Sequence, residues 1–258
     1  TRKESSAASD VYKRQGMSKT IILDDKSVHC SQCMSNHLCM PAGLNAQETE
    51  KLTELVKERI RIPKNQVLFQ AGDSFSAIYS VRSGSLKTQL ESENGHIQIT
   101  GFSLPGELIG FDGIATQTHS STAMAMEDSE VCVIRLDDLD RLAQSIPALN
   151  SQLRQLMGNE INRSHHMALT LGSLKSDQRV AAFILNMVDR LARLGYSSSE
   201  FILRMTREEI GVYLGLTLET VSRLLSRFAR EGLITVEQKE IRVLDRAGLQ
   251  ALIKKENH

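Results

Sequence analysis

The sequence predicts an α+β chain: an N-terminal antiparallel β jelly roll, one long dimerisation helix and a C-terminal winged helix-turn-helix. Three observations predict it. From Ile62 to Leu136, short apolar runs alternate with turn residues, the pattern of an antiparallel sandwich or jelly roll. From Ile146 to Leu171 the apolar period becomes helical. From Thr206 to Phe228, two short helical patterns flank Gly215, the spacing of a helix-turn-helix. The expected divisions are a disordered or non-native tail over 1–28, a cysteine-bearing domain with the jelly roll over 29–145, the dimerisation helix over 146–172 and the winged helix-turn-helix over 173–258.

Residues 1–16 show no periodicity, no core-sized apolar set and no targeting pattern, and Met17 fits a natural start. The next stretch carries chemistry. Cys30, Cys33 and Cys39 form a C-x2-C-x5-C run, and the fourth cysteine, Cys132, stands alone inside Glu130-Val131-Cys132-Val133-Ile134. Thiolates are soft ligands, and four of them close either a zinc site or a [4Fe–4S] cluster. Spacing does not choose between these. The bland alternative is a set of reduced cysteines, with Cys132 buried as a small hydrophobe between Val131 and Val133. A disulfide framework is disfavoured, because the chain is large and cysteine-poor and shows no secretory signal. His29 and His37 stand beside these cysteines, His37 between Cys33 and Cys39, and both read as solvated neighbours.

Asn45 followed by Glu48 is a capping-box arrangement that opens a helix over Leu52, Leu55 and Val56. Strand-like runs follow, including Val67-Leu68-Phe69, Ala77 to Val81, and Ser85 to Leu90. Asn94-Gly95 before Ile97-Gln98-Ile99-Thr100 is a strong hairpin signal. The helix that follows places Leu149, Leu153 and Leu156, then Ile161, Ser164, Ala168 and Leu171, on a stripe narrow enough for a two-helix seam.

A helix from Ser176 to Leu194 opens the C-terminal part, with Val180, Phe183, Ile184, Met187, Val188 and Leu191 as its core face and Gly195 at its end. Thr206 and Glu209 make a second capping box, Gly211 admits a close helix crossing and Gly215 supplies the turn. Thr217 caps the second helix, which presents Glu219, Thr220, Ser222 and Arg223 where a major groove is read. Thr217 and Arg207 complete the DNA-contacting candidates. Gly232 to Val236 and Glu240 to Leu244 form a wing.

Composition narrows the function classes. Net charge is zero, yet residues 173–258 hold 14 Lys+Arg against 11 Asp+Glu and the preceding part 17 against 20, so the C-terminal third is mildly basic. With 4% aromatics and no tryptophan, a stacking platform for single strands is disfavoured. No apolar run reaches membrane-helix length, which makes a cytoplasmic protein without membrane contact the expectation. No paired carboxylates, nucleophile–base set or phosphate loop suggests an enzyme.

Cysteine run, jelly roll, long helix and winged helix-turn-helix together resemble the CRP/FNR superfamily of bacterial transcription regulators, and within it the oxygen-responsive FNR (fumarate and nitrate reduction regulator) branch. The likeness runs from His29 onward and includes Phe69-Gln70-Ala71-Gly72-Asp73, Val81-Arg82-Ser83-Gly84, Gln98 to Phe102, and Gly215 to Arg223. It implies a cyclic-nucleotide-binding-like sensor domain in which Cys30, Cys33, Cys39 and Cys132 ligate one [4Fe–4S] cluster. It also implies base reading by Glu219, Ser222 and Arg223, and a homodimer on a palindromic operator of TTGAT-like half-sites on double-stranded DNA. Contact with RNA polymerase and loss of the dimer in oxygen complete the expectation. Relatives of this kind carry an aspartate where this chain has Ser164, so its dimer is expected to persist more readily without the cluster. Gly106 to Gly110 looks like the start of a cyclic-AMP pocket, but the phosphate-neutralising Arg-Ser pair is here His119-Ser120, so cyclic AMP is not expected to bind and Gly106 and Glu107 read as relics of strand and turn geometry. The competing expectation is a CRP-type regulator with a structural zinc site that answers a small molecule or a partner protein.

Overall fold

A computed structural model describes residues 21–23, 29–56 and 58–255. Most of the expected tail, 1–20 and 24–28, lies outside the described residues. Its remainder corrects the expectation: β1 (Ile21–Leu23) pairs antiparallel with β2 (Arg59–Ile62), Ile22 opposite Ile60. An apolar Ile-Ile-Leu run beside an exposed sheet edge satisfies its backbone by adding a strand.

The jelly roll is two antiparallel sheets. One is ordered β1-β2-β9-β4-β7 and the other β3-β8-β5-β6. Its remaining strands are β3 (Val67–Phe69), β4 (Ala77–Ser83), β5 (Leu86–Glu91), β6 (Ile97–Ser103), β7 (Leu108–Ile109), β8 (Thr122–Ala125) and β9 (Ser129–Arg135). The Asn94-Gly95 turn joins β5 to β6 as expected, with Gly95 at φ +77°. Between the sheets Ile62, Phe69, Val81, Leu86, Ala123, Ala125 and Val131 form one core. A second core lies under the helices, where Met40, Leu52, Ile78, Ile134, Leu139, Ile146 and Leu149 meet.

Helix α1 (Ala46–Leu55) opens with the Asn45–Glu48 capping box. Helix α2 (Leu136–Ser145), absent from the sequence expectation, follows β9 without a loop and buries Leu139 and Ala143. Helix α3 (Pro147–Ser173) then runs the length of the expected seam. Its stripe, however, changes partners along the way. Leu149 is fully buried, and Leu153 and Leu156 pack against the same core of their own domain. Only beyond Gly158 do apolar residues turn outward, with Ile161 55% and Leu169 59% exposed and Ser164 and Ala168 also exposed. Of the first three seam candidates, Leu149 is wholly taken up by internal packing, while Leu153 and Leu156 share their surface between their own core and solvent. Leu171 is half-buried near the helix-turn-helix, 3.6 Å from where a Cβ on Gly215 would stand.

The C-terminal unit comprises α4 (Ser176–Arg193), β10 (Glu200–Ile202), α5 (Arg207–Leu214), α6 (Leu218–Arg230), β11 (Ile234–Glu237), β12 (Glu240–Val243) and α7 (Arg246–Lys254). The wing gains a third strand, since β10 pairs with β12. Its core joins the sensor domain: Ile99, Phe102 and Leu104 pack in one cluster with Val180, Phe183, Ile184, Ile210 and Leu214.

Candidate metal centre and nucleic-acid interface

Strand alternation decides where Cys132 faces. On β9, Val131 and Val133 are buried on one side, while Cys132 and Ile134 share the other. Cys132 therefore does not lie between the two valines as a core residue. Its strand runs between β2 and β4, opposite Arg59 on one side and Ser80 on the other. Above this face lies a cavity lined by Cys30, Cys33, Cys39, Cys132, Arg59, Ser80 and Arg82, with Met40, Leu52, Val56 and Ile134 as its apolar wall. All four cysteines are thus brought together, the lone one from mid-sheet and the other three from the loop before α1.

The loop is fixed by polar contacts. A 3₁₀ turn spans Cys30–Gln32, and the Cys30 amide donates to Thr53 Oγ1 of α1 at 3.1 Å. Cys39 Sγ lies 2.9 Å from Ser80 Oγ and Cys33 Sγ 3.4 Å from Ser35 Oγ. From α3, Gln152 Nε2 donates to the Cys39 carbonyl at 3.0 Å. Burial pushes the Cys39 thiol up to about 11 and Cys132 to about 12, and it raises Cys30 as well; neighbouring thiols add to each shift. Arg82 works against burial at Cys30 and Cys132. Arg59 and Arg82 are themselves held by Glu130, at 2.5 and 3.2 Å. The sequence reading missed these arginines and Ser80, although alternation along β4 puts Ile78, Ser80 and Arg82 on one face. Among the described residues no three His, Cys, Asp or Glu side chains close on a single metal ion.

Of the two histidines beside the cysteines, His37 is solvent-exposed as expected, and its Nε2 also donates to the Arg193 carbonyl of α4 at 2.9 Å. Glu107 differs from the expectation of a relic. Its half-buried carboxylate accepts from the Leu104 amide at 3.0 Å and pairs with Arg190 at 2.5 Å and Arg163 at 3.1 Å. Burial alone raises its pKa, and the two guanidiniums outweigh that and hold it below the usual range. Arg190 also donates to the Phe102 carbonyl. His119 is buried, stacked on Phe69 at a ring distance of 3.8 Å, with Nδ1 3.1 Å from Asp112. Asp112 accepts from the Ser120 and Ser121 amides at 2.8 and 2.9 Å.

The helix-turn-helix forms as its sequence requires. Thr206 accepts from the Glu209 amide, whose side chain returns to the Thr206 amide at 2.7 Å. Gly215 takes φ +63°, and a Cβ on Gly211 would sit 2.7 Å from the Leu216 carbonyl, so both glycines are needed. Thr217 Oγ1 accepts from the Thr220 amide at 3.2 Å. Val221, Leu224, Leu225 and Phe228 bury one face of α6. Glu219 and Arg223 stand exposed, with Ser222 and Thr220 partly covered beside them, and Arg207 is half-buried at the start of α5. The Glu219 carboxyl is held below its usual range by hydrogen bonds to its own amide and Thr217 at the helix N-terminus. This is a surface on which Arg, Glu and Ser side chains can enter a groove.

The chain matches the family of the Cyclic nucleotide-binding domain over residues 59–145 and that of the Crp-like helix-turn-helix domain over residues 178–252. It is 56% identical to Transcriptional regulatory protein btr of Bordetella pertussis, over 93% of this chain and 100% of that protein. It is 46% identical to the Anaerobic regulatory protein of Haemophilus influenzae, over 86% of this chain and 87% of that one. It is 42% identical to Transcriptional activator protein FnrA of Stutzerimonas stutzeri, over 92% and 97%. Among solved structures, FixK2 from Bradyrhizobium japonicum superposes with a TM-score of 0.70 at 28% identity, covering 77% of this chain and 98% of that one.

Proposed function

This chain belongs to the CRP/FNR family of transcription regulators, with Fnr-like anaerobic regulators among its relatives, and from that premise we propose that it senses oxygen through a [4Fe–4S] cluster. Such regulators are not enzymes. The observation that carries the reading is the convergence of Cys132 with Cys30, Cys33 and Cys39 on one cavity. Four convergent thiols can hold a [4Fe–4S] cluster or a single zinc ion, and the likeness to Fnr-type anaerobic regulators favours the cluster. When bound, the cluster supplies an oxygen-labile crosslink between loop and sheet. The protein's own residues do the rest. Ser35 and Ser80 offer hydroxyls to the sulfurs, Arg82 places positive charge beside them, and Met40, Leu52 and Ile134 keep water from one side.

Gln152 ties the Cys39 carbonyl to α3, so a change in the loop is felt by the helix whose outer face offers Ile161, Ser164 and Ala168 to a second copy. A two-fold dimer presents two α6 helices to a palindromic, TTGAT-like site, and activation then requires contact with RNA polymerase. His119 and Asp112 satisfy each other where a cyclic phosphate needs a free arginine, which supports a signal other than cyclic AMP. No helix among the described residues is long and apolar enough to cross a membrane, in keeping with a cytoplasmic site of action.

The test is anaerobic purification with iron and sulfide assays, followed by DNA binding before and after air. About four irons and four sulfides per chain, with specific binding that falls in air, are expected. One zinc per chain and air-insensitive binding would overturn the cluster and leave the structural-zinc alternative.

A further inference from the structure

The cysteine run is hydrogen-bonded outward in two directions. One is the Gln152 contact to α3 already described. The other reaches the DNA-binding unit directly: His37, between Cys33 and Cys39, donates from Nε2 to the carbonyl of Arg193, the last residue of α4. The final carbonyls of any helix lack intrahelical partners. Here the amides of Leu194, Gly195 and Tyr196 fold back onto the oxygens of Leu191 and Ala192. Arg193's oxygen is met by His37. The neighbouring Leu38 stands behind Gly106, where an added Cβ would come within 3.0 Å of its own Cβ. Gly106 leads into Glu107, which grips Arg190 one turn before Arg193. Two adjacent loop residues thus reach the last turn of α4, one by a hydrogen bond and one through the Gly106–Glu107 corner.

We infer that the loop carrying Cys30, Cys33 and Cys39 caps α4 through His37 and so sets the position of the DNA-binding unit within its own protomer, by a route that bypasses the dimer seam. The inference rests on the proposed reading of the thiol site as the oxygen-labile centre. It makes His37 a positioning residue, one that contacts neither DNA nor metal.

Full-length wild type, His37→Ala and His37→Gln are compared, the last keeping an amide donor. Amide exchange is read at Leu194, Gly195 and Tyr196 in metal-free and in anaerobically loaded protein, with iron and sulfide assayed on the same samples. His37→Ala is expected to raise exchange there about 3- to 10-fold, the loss of one hydrogen bond, and His37→Gln to restore it. Loading is expected to change exchange at these amides in wild type and not in His37→Ala. At concentrations where sedimentation shows complete dimer, DNA affinity of loaded His37→Ala is expected to fall by a similar factor. Equal exchange in wild type and His37→Ala overturns the cap. Equal exchange with and without loading, in wild type with full iron and sulfide, overturns the route. If wild type takes up no iron or sulfide, the reading of the thiol site fails instead, and the metal-free comparison still decides the cap.

Discussion

At the scale of single residues, Cys132 and Arg223 bear most of the functional claim. Cys132 is separated from the other thiols by most of the jelly roll, yet it lines the same cavity as they do. Cys132→Ser is therefore expected to abolish iron and sulfide as fully as Cys30→Ser, and a Cys132→Ser protein that retains both would refute the four-thiol site. Arg223 stands exposed on the outer face of α6, free to meet guanine O6 and N7 with two donors. Arg223→Ala is expected to cost about 1–3 kcal/mol per half-site and to relax preference at one base pair. Competition titrations against specific and random DNA check this; an equal loss on both makes Arg223 a phosphate contact. Cys30, Cys33 and Cys39 were legible as a group because their spacing is short, whereas Cys132 was joined to them, and Glu219, Ser222 and Arg223 assigned to base reading, through the family resemblance. Arg82, Ser80 and Glu107 were not legible, since their meaning depends on what lies across a sheet or a domain boundary.

At the scale of elements, α3 is the instructive case. A periodic stripe from Leu149 to Leu171 reads as one seam, but period alone does not say which body the stripe meets. The structure grades it along its length: Leu149 is buried, Leu153 and Leu156 are partly buried against their own core, and Ile161, Ser164 and Ala168 are exposed. Helix α2 escaped the sequence reading for a related reason. It is ten residues long, starts directly at the end of β9 with no turn residue between, and leaves Asp137, Asp138 and Asp140 near its start as the clearest signal. The outward half of α3 carries a prediction. Ser164 Oγ donates back to the Glu160 carbonyl at 3.1 Å, and the Glu160 carboxylate is paired with Arg163 at 3.3 Å, so this stretch presents little net charge to a second copy. A pair of aspartates meeting there across the axis costs roughly 1–3 kcal/mol at an intermediate dielectric. Cluster-free wild type is expected to dimerise measurably and to keep residual DNA binding in air, and Ser164→Asp to remove both. Sedimentation at micromolar concentration decides the matter, and equal monomer fractions for the two proteins would exclude Ser164 as the determinant.

At the scale of the whole molecule, Glu107 joins the jelly roll, α3 and α4 at one point, while Lys87 to Glu209 at 2.7 Å and Gln98 to the Val212 carbonyl at 2.8 Å fasten the β5–β6 hairpin to α5. Glu107→Gln removes the charge that Arg190 and Arg163 share and is expected to cost about 1–3 kcal/mol, as losing charge-assisted hydrogen bonds at a partly buried site does. The pH dependence has a definite sign. Because the folded-state pKa of Glu107 lies below its ordinary value of 4.5, its stabilisation is fully present above that value and is lost as pH falls through the depressed one. Thermal midpoints of wild type and Glu107→Gln should therefore differ most near neutrality and converge in acid; a gap that is constant with pH would show that packing, not charge, holds the junction.

The place of Cys132 in the middle of a five-stranded sheet also bears on how the protein is made. Ribosomes deliver Cys30, Cys33 and Cys39 first, and the strand bearing the fourth thiol follows 93 residues after Cys39, about 5–20 s later at ordinary elongation rates. Even then Cys132 takes its place only when β9 has inserted between β2 and β4, a pairing of distant segments that is intrinsically slow. A newborn chain thus passes through an interval in which three thiols are exposed without their fourth, vulnerable to oxidation and to the wrong metal. If the thiol site holds the proposed cluster, that cluster can be completed only on the finished jelly roll, after β9 has taken its place.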